Sequence, residues 1–443
     1  MAKTLLALLT LPLLATAQVQ PPVAIRNAKI VTISGPVLNK GTIVLRNGLI
    51  EDVGENVIPP AGALVIDGEG MTVYPGLIDP MSTLGIPLAV PATGAAPATG
   101  AAAPPSRGPE DRPRTTSWER AADKISSKDT RIDVARNAGF TSATTFPTTG
   151  IFAGQGVMFN LAGDNPSKMI LASPVGQYMT LTAGGGFGAG RGFPSSGMGV
   201  FAYVRQIFID LDYYERSKAS YEKDPAGKQR PAYDRALEGL KESPRLFIPA
   251  SSKAEIERVS GLAKELKMPF ILYGALEGYR SAAQLKAAGA PVLVSTKWPV
   301  KSPAADPDGE EPLRALEFRE SAPNTPSVLA KAGVKFALFS DGQSTAEFLK
   351  GVRTAIERGL AHDDAVKALT LTAAEMAGAS NRVGSLEKGK IANVVVTKGD
   401  LLADKTAIQF VFVDGNKFVP SPDGPVTAPA AGTGRRPRDG GVE

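Results

Sequence analysis

The sequence contains no cysteine and only one histidine, His362, among its 443 residues. The absence of cysteine excludes disulfide bonds and thiol chemistry. Because zinc sites are built from cysteine, histidine and carboxylate side chains, a nitrogen-rich zinc site cannot be assembled from this chain. An oxygen-only site for a harder ion would need several converging acids. His362 itself stands at the expected start of a helix, before two aspartates that suit a helix N-terminus.

The chain also lacks a basic stripe with interleaved aromatic residues, and it has no long apolar run beyond its first residues. Its net charge of +5 comes from 49 Lys and Arg scattered among 44 Asp and Glu, which argues against nucleic-acid binding. The N-terminus has Lys3, an apolar run over residues 5–14 and an Ala-Thr-Ala sequence before Gln18. This pattern predicts a secretory signal over residues 1–17, a periplasmic or secreted mature protein, and no permanent membrane anchor.

Segments of strand and helix character alternate through the middle of the chain. Short runs of strand character, "LFIPA", "FILYGA", "VLVST" and "FALFSD", end near residues 250, 275, 296 and 341, and helical patterns lie between them. This alternation predicts a parallel α/β fold. The number of segments suits a TIM-type (β/α)8 barrel over residues 76–383.

Both ends of the chain are instead rich in short strands. "VAIRNAKIVTI" and "GTIVLRNGLIEDVG" at one end, and "IANVVVTKGD" and "IQFVFVDGNKF" at the other, include the Asn-Gly and Asp-Gly turns typical of β-hairpins. They predict a small composite β-sandwich built from residues 22–75 and 384–420. The Ala-, Pro- and Gly-rich stretch 90–114 is predicted to be a disordered insertion in the barrel, and residues 421–443 a disordered tail.

The order of these segments resembles that of the amidohydrolase superfamily, and in particular its secreted imidazolonepropionase-like members. The resemblance rests on "VIDGEGMTVYPGLID" and "ALTLTAAEMAGASNRVGSLEKGKIANVVVTKGD", and it covers nearly the whole mature chain. It implies a metal-dependent TIM barrel with a composite sandwich, and hydrolysis of C–N bonds in linear or cyclic amides. The family's cofactor would be zinc or another divalent metal.

The residues that would bind this metal differ from the family's pattern. The family's first barrel strand ends in Asp-x-His-x-His; the matching stretch begins at Asp79 and has Met81 and Thr83 at the histidine positions. The histidines of two middle strands match Pro249 and Tyr273. The acid of the last strand is present as Asp341, and the sequence assigns no equivalent of the family's bridging lysine. We therefore predict no metal cofactor.

Three functional hypotheses follow. In the first, the protein is a pseudoenzyme that binds a small molecule or peptide at the barrel mouth, or pairs with a second copy or an active paralogue. In the second, it is a hydrolase with a rebuilt, histidine-free site in which Asp341 is the general base. In the third, it is a structural scaffold with a filled barrel mouth.

Three residues of the first strand bear on this choice. Met81 and Thr83 either line a remodelled, more apolar pocket or fill the space by packing. Asp79 is a candidate pocket residue and, because it follows a Pro-Gly turn, a candidate brace of that loop.

Overall fold

A computed structural model describes residues 21–87, 112–184, 192–302, 304, 306 and 309–420. The predicted signal peptide at 1–17 and the predicted tail at 421–443 lie outside these ranges, as does the predicted insertion at 90–114 except for its last three residues. The division into domains stays a prediction. No helix in the described ranges combines the length and the apolar character that crossing a bilayer requires.

The two ends of the chain form one sheet. Its strands are β1 (Val23–Ile30), β2 (Leu38–Arg46), β3 (Leu49–Gly54), β4 (Leu64–Asp67), β5 (Thr72–Pro75), β16 (Val394–Lys398), β17 (Ala407–Val413) and β18 (Asn416–Phe418). Their order is β18-β17-β16-β5-β1-β2-β3, with β4 paired to β1, and antiparallel pairing of β5 with β16 joins the two ends. Asn47-Gly48 and Asp414-Gly415 form the predicted hairpin turns, and all four residues have the positive φ of type I′ turns.

Two further sheets contain the strands of the middle region. The first has the order β10-β9-β7-β6 and the second the order β15-β14-β13-β12-β11-β8. Their strands are β6 (Leu77–Ser82), β7 (Phe140–Thr145), β8 (Phe152–Gln155), β9 (Val157–Asn160), β10 (Ile170–Ala172), β11 (Gln177–Met179), β12 (Leu246–Ala250), β13 (Phe270–Gly274), β14 (Val292–Ser295) and β15 (Phe336–Phe339). Strand β6 is parallel to β7, and strands β11 to β15 are parallel to one another. The predicted α/β class is confirmed.

Helices connect these strands and cover their outer side. They are α1 (Thr130–Asn137), α2 (Pro166–Met169), α3 (Gly197–Lys223), α4 (Arg235–Lys241), α5 (Lys253–Leu266), α6 (Ala282–Ala288), α7 (Leu313–Ser321), α8 (Thr325–Ala332), α9 (Thr345–Glu357), α10 (His362–Ala368) and α11 (Leu371–Ala377). Helices α5 and α9 each begin at a capping box, Ser252 with Glu255 and Ser344 with Glu347. These caps satisfy N–H groups that a helix start leaves without partners, and so fix where each helix begins after its strand.

Each parallel strand has one face towards the helices and one inner face. On β12, Leu246 and Ile248 pack in the larger cluster of buried residues, which includes residues of the helices, whereas Phe247 packs in a second cluster. The same alternation, which follows from the two-residue repeat of a strand, puts Leu293 and Phe339 in that second cluster. We call this cluster the inner core; its strand residues include Ile78, Met81, Met158, Phe247, Ile271, Leu293, Ala337 and Phe339.

Buried amides connect the composite sheet to the middle region. Asn393, just before β16, donates through Nδ2 to Asn160 Oδ1 at 2.7 Å and to Ser142 Oγ at 3.0 Å. Its Oδ1 accepts from the backbone N–H of Asp414 at 2.9 Å. One side chain thus ties the C-terminal part of this sheet to strands β7 and β9.

Candidate functional site

The sequence-predicted site residues lie at the carboxyl ends of the parallel strands, where α/β barrels have their active sites. Met81 is in β6, Pro249 in β12 and Tyr273 in β13. Thr83 and Asp341 follow shortly after β6 and β15. Pro249 and Tyr273 are register partners on neighbouring strands, so these two positions lie at the same level.

Aromatic side chains fill the inner face of these strand ends. The rings of Tyr178 and Tyr273 stack with centroids 5.2 Å apart, and Tyr273 meets Phe339 edge to face at 6.4 Å. Phe146 lies 5.5 Å from Tyr178 and 4.8 Å from Phe247. We call these five residues the aromatic layer. Each such contact stabilises the fold by about 0.5–1.5 kcal/mol beyond the burial of its area.

Tyr273 is tied to the backbone. Its Oη donates to the carbonyl oxygen of Met179 at 2.8 Å. Burial raises the pKa of Tyr273 above its usual range, and the proximity of Tyr178 and the charge of Asp341 raise it further. The phenol is therefore neutral at physiological pH and provides no phenolate for a metal ion or for proton abstraction.

Met81 and Thr83 have different surroundings, although they are only two residues apart. Met81 is buried in the inner core. Thr83 is exposed; its Oγ1 accepts from Arg131 Nη1 at 3.0 Å and its carbonyl oxygen accepts from Arg131 Nη2 at 2.8 Å. One position is therefore part of the apolar packing, and the other is held by a guanidinium cation.

Asp79 is a buried carboxyl group that links two strand ends. Its Oδ1 accepts from the backbone N–H of Met81 in the same strand and from that of Ser340 after β15, each at 3.3 Å. Burial raises the pKa of Asp79 to about 7, although hydrogen bonds from Ser340 and Met81 oppose the rise and the charge of Asp341 adds to it. The carboxyl group of Asp79 therefore changes between its protonated and ionised forms near neutral pH.

Asp341 is the second carboxylate at this end of the structure, and it is exposed. Its Oδ2 accepts from Ser295 Oγ at 2.8 Å. Its φ of +51° lies in the left-handed region, which aspartate tolerates better than most residues. The carboxylate is thus positioned by a neighbouring strand but remains open to solvent.

This set of side chains does not fit a zinc ion. Pro249 has no donor atom, Met81 lies in apolar packing, and the Tyr273 hydroxyl is neutral and engaged. A guanidinium cation adjoins Thr83, where a second cation would be repelled. Among the described residues, no three His, Cys, Asp or Glu side chains come together in a way that could hold a metal ion.

A cavity of about 390 Å³ lies between the end of β6, helix α1 and the start of α9, and none of the five residues of the aromatic layer lines it. Asp79, the candidate pocket residue, lines it together with Ser340 and Phe348. A larger groove of about 1100 Å³ lies elsewhere, between α3 and residues 229–237. We place the candidate site at the strand ends because the parallel strands converge there.

Some residues that shape the candidate site cannot be recognised from the sequence. Tyr178 is in the three-residue strand β11, which is too short for a recognisable alternating pattern. Ser295 and Arg131 act through partners distant in sequence, Asp341 and Thr83. His362, in contrast, is the first residue of α10 as expected, and its Nε2 lies 2.8 Å from Asp400 Oδ1, away from the strand ends.

These features define a class: an α/β protein with a site at the carboxyl ends of its parallel strands and a sheet made from both chain ends. The sequence profile described as the amidohydrolase family matches residues 314–418. Comparison with curated protein sequences gave no match.

Solved structures with the same fold include an amidohydrolase from Thermotoga maritima, which is 25% identical with a TM-score of 0.72 over 90% of this chain and 100% of its own. A prolidase in complex with N-methylphosphonate-L-proline is 15% identical, with a TM-score of 0.55 over 90% and 99% of the two chains. Molinate hydrolase is also 15% identical, with a TM-score of 0.51 over 96% and 99%. The profile match and these structures are consistent with a member of the amidohydrolase superfamily.

Proposed function

We propose that this protein has lost the metal chemistry of its superfamily and acts as a binding or partner subunit. The observation that supports the loss of metal chemistry is the aromatic layer, which occupies the inner face of the strand ends at which Pro249 and Tyr273 pair. The open cavity lined by Asp79 favours a binding subunit over a scaffold with a filled barrel mouth. Without a bound metal ion, water is not activated by the route that metallohydrolases use. The nearest occupants are neutral rings and a neutral phenol, which do not substitute for a Lewis acid.

The finer features of the fold are part of the same proposal. We propose a closed eight-stranded barrel with a composite β-sandwich, of the secreted imidazolonepropionase-like type. Closure between β15 and β6 is supported by the hydrogen bond from Ser340 N to Asp79 Oδ1. Secretion is supported by the signal-like pattern of residues 1–17. The partner would be a second copy or an active paralogue.

The first test measures metal content and hydrolysis together. The chain from Gln18 onward is incubated with zinc, manganese or calcium, desalted and analysed for bound metal; a panel of dipeptides and cyclic amides is then assayed. We expect less than a tenth of an equivalent of metal and no hydrolysis above background. Stoichiometric metal that disappears in Asp341→Asn but not in Asp364→Asn, an exposed control on α10, would overturn the proposal.

The alternative is a hydrolase with a rebuilt site. The observation in its favour is Asp341, an exposed carboxylate that Ser295 positions in a left-handed backbone conformation. Strained residues of this kind cluster at functional sites. Amide hydrolysis without added metal that is abolished in Asp341→Asn would establish this alternative, because the substitution preserves shape and removes only the basic oxygen.

A further inference from the structure

We infer that the cavity between β6, α1 and α9 binds a small neutral molecule with one apolar face and one end that carries a hydrogen-bond acceptor. This inference rests on the proposed function, because it gives the binding subunit a site and a class of ligand. It concerns the space between β6, α1 and α9, which is separate from the filled inner face.

The size and the walls of the cavity suit a small organic molecule. Its volume of about 390 Å³ falls within the range of ligand pockets. Phe140 and Phe348, whose rings stack at 5.5 Å, form one wall, and Val134 of α1 contributes an aliphatic surface. A flat or aliphatic group on these residues would be removed from water, and each Å² buried contributes roughly 25 cal/mol.

The charged groups of the cavity are already engaged. All three guanidinium nitrogens of Arg131 donate, to Asp129, to Thr83 and to the carbonyl oxygen of Ile86. The carboxyl group of Asp79 accepts two backbone N–H groups. The charge of Arg131 is compensated by Asp129, and burial keeps Asp79 mainly protonated below about pH 7, so below that pH a charged ligand would lose hydration without gaining a counter-ion. The cavity therefore favours a neutral molecule.

Two polar groups of the lining are available to a ligand. Gln343 accepts from Thr296 through Oε1 at 3.2 Å, while its Nε2 has no partner within the described ranges. The hydroxyl of Thr345 likewise makes no side-chain hydrogen bond there. Under this inference, this amide nitrogen and this hydroxyl donate to a carbonyl oxygen of the ligand; Gln343 also lines a neighbouring groove together with Thr296.

The test uses three probes of similar shape and different charge: phenylacetamide, phenylacetate and 2-phenylethylammonium. Each is titrated into the chain from Gln18 onward at a pH below 7, at which Asp79 is mainly protonated, and binding is followed by saturation-transfer NMR. We expect phenylacetamide to bind about tenfold more tightly than either charged probe, since the lining offers no counter-charge. Equal binding of all three probes, or no binding of phenylacetamide at millimolar concentration, would overturn the inference.

Two variants locate the site. Val134→Trp fills the cavity and should weaken phenylacetamide binding about tenfold or more, whereas Ile209→Trp, on the exposed face of α3, should leave it unchanged. Gln343→Glu keeps the size of the side chain and removes the free N–H donors, so we expect about tenfold weaker binding. If Val134→Trp does not fold, Gln343→Glu decides alone. If both Val134→Trp and Gln343→Glu bind phenylacetamide with wild-type affinity, the ligand does not bind in this cavity.

The same spectra separate this inference from the proposed function. Hydrolysis would convert phenylacetamide and water into phenylacetic acid and ammonia, with new resonances for the acid. If phenylacetamide binds and is not hydrolysed, the inference and the proposed function are both supported. If it is neither bound nor hydrolysed, only the inference is overturned. If the wild-type chain hydrolyses it, the proposed function is overturned.

Discussion

The strand ends divide into two sectors that are held by different forces. At β6 and β15, the carboxyl group of Asp79 accepts two backbone N–H groups, and Asp341 accepts a serine hydroxyl. At β11 and β13, the rings of Tyr178 and Tyr273 stack, and apolar neighbours surround them. One sector is polar and adjoins a cavity, while the other is aromatic and filled.

The difference shows what a buried carboxyl group contributes to the stability of the polar sector. If Asp79 were apolar, the N–H groups of Met81 and Ser340 would lose their acceptor, and each buried unsatisfied group costs about 1–3 kcal/mol. At Pro249 and Tyr273, no comparable pair of backbone donors depends on the side chain. The carboxyl group of Asp79, with its two backbone partners, therefore has a structural role.

The largest expected effect tests whether the aromatic sector is packing. Phe247→Ala removes a ring that is 1% exposed and lies 4.8 Å from Phe146, so we expect unfolding in urea to show a loss of about 4 kcal/mol. Tyr213→Ala, at a position 69% exposed, is the control and should change stability by less than about 1 kcal/mol. A loss below about 1 kcal/mol in Phe247→Ala would show that the sector is loosely filled.

The next effect concerns the polar sector and depends on pH. The pKa of Asp79 is about 7 in the folded chain, above its unfolded value of 3.8. The protonated form is therefore favoured by folding, and its contribution is fully present below about pH 4 and is lost as the pH rises through 7. Between pH 4 and pH 7, we expect wild-type stability to fall by roughly 3 kcal/mol relative to Asp79→Asn, which does not titrate.

Urea unfolding of both proteins at pH 4, 5.5 and 7 measures this difference, and other titrating groups cancel between them. Asp364→Asn, at an exposed position, should show no such trend. A constant difference between wild type and Asp79→Asn would mean that Asp79 is solvated, and the contrast between the sectors would fail.

The fold could be predicted from the sequence further than the site could. The two-residue and helical repeats are local properties, and the Asn47-Gly48 and Asp414-Gly415 turns carry their own backbone preference, so these features can be read directly. The aromatic layer instead depends on which rings meet across strands. Phe146 and Phe247 are about a hundred residues apart, and no local pattern pairs them.

The cavity was also beyond the reach of sequence patterns. Its lining includes Arg131 of α1, whose guanidinium group donates to Thr83, 48 positions earlier in the chain. Arg131 also pairs with Asp129, so its charge is compensated and does not make the cavity a site for anions. The neutral character of the cavity therefore emerges only from the three-dimensional arrangement.

A smaller effect tests whether Tyr273 is a structural element. Tyr273→Phe removes the hydrogen bond to the carbonyl oxygen of Met179 but leaves the ring stack, so we expect a loss of about 1 kcal/mol in urea unfolding. Tyr213→Phe, at an exposed position, should show no loss. If Tyr273→Phe is as stable as wild type, the hydroxyl is not held in the way described, and a chemical role for it would have to be reconsidered.

The smallest effect is expected at Asp341, where the two functional readings differ most. Asparagine tolerates the left-handed conformation and retains an oxygen for Ser295, so Asp341→Asn should change stability by less than about 0.5 kcal/mol. Asp341→Ala loses both features and should cost about 1–2 kcal/mol in the same urea titration. Under the proposed function, both variants bind phenylacetamide as the wild type does, because Asp341 is outside the cavity lining. An activity present in the wild type and absent from the stable Asp341→Asn variant would make the polar sector a catalytic one, because a side chain with almost no effect on stability would then act through its charge.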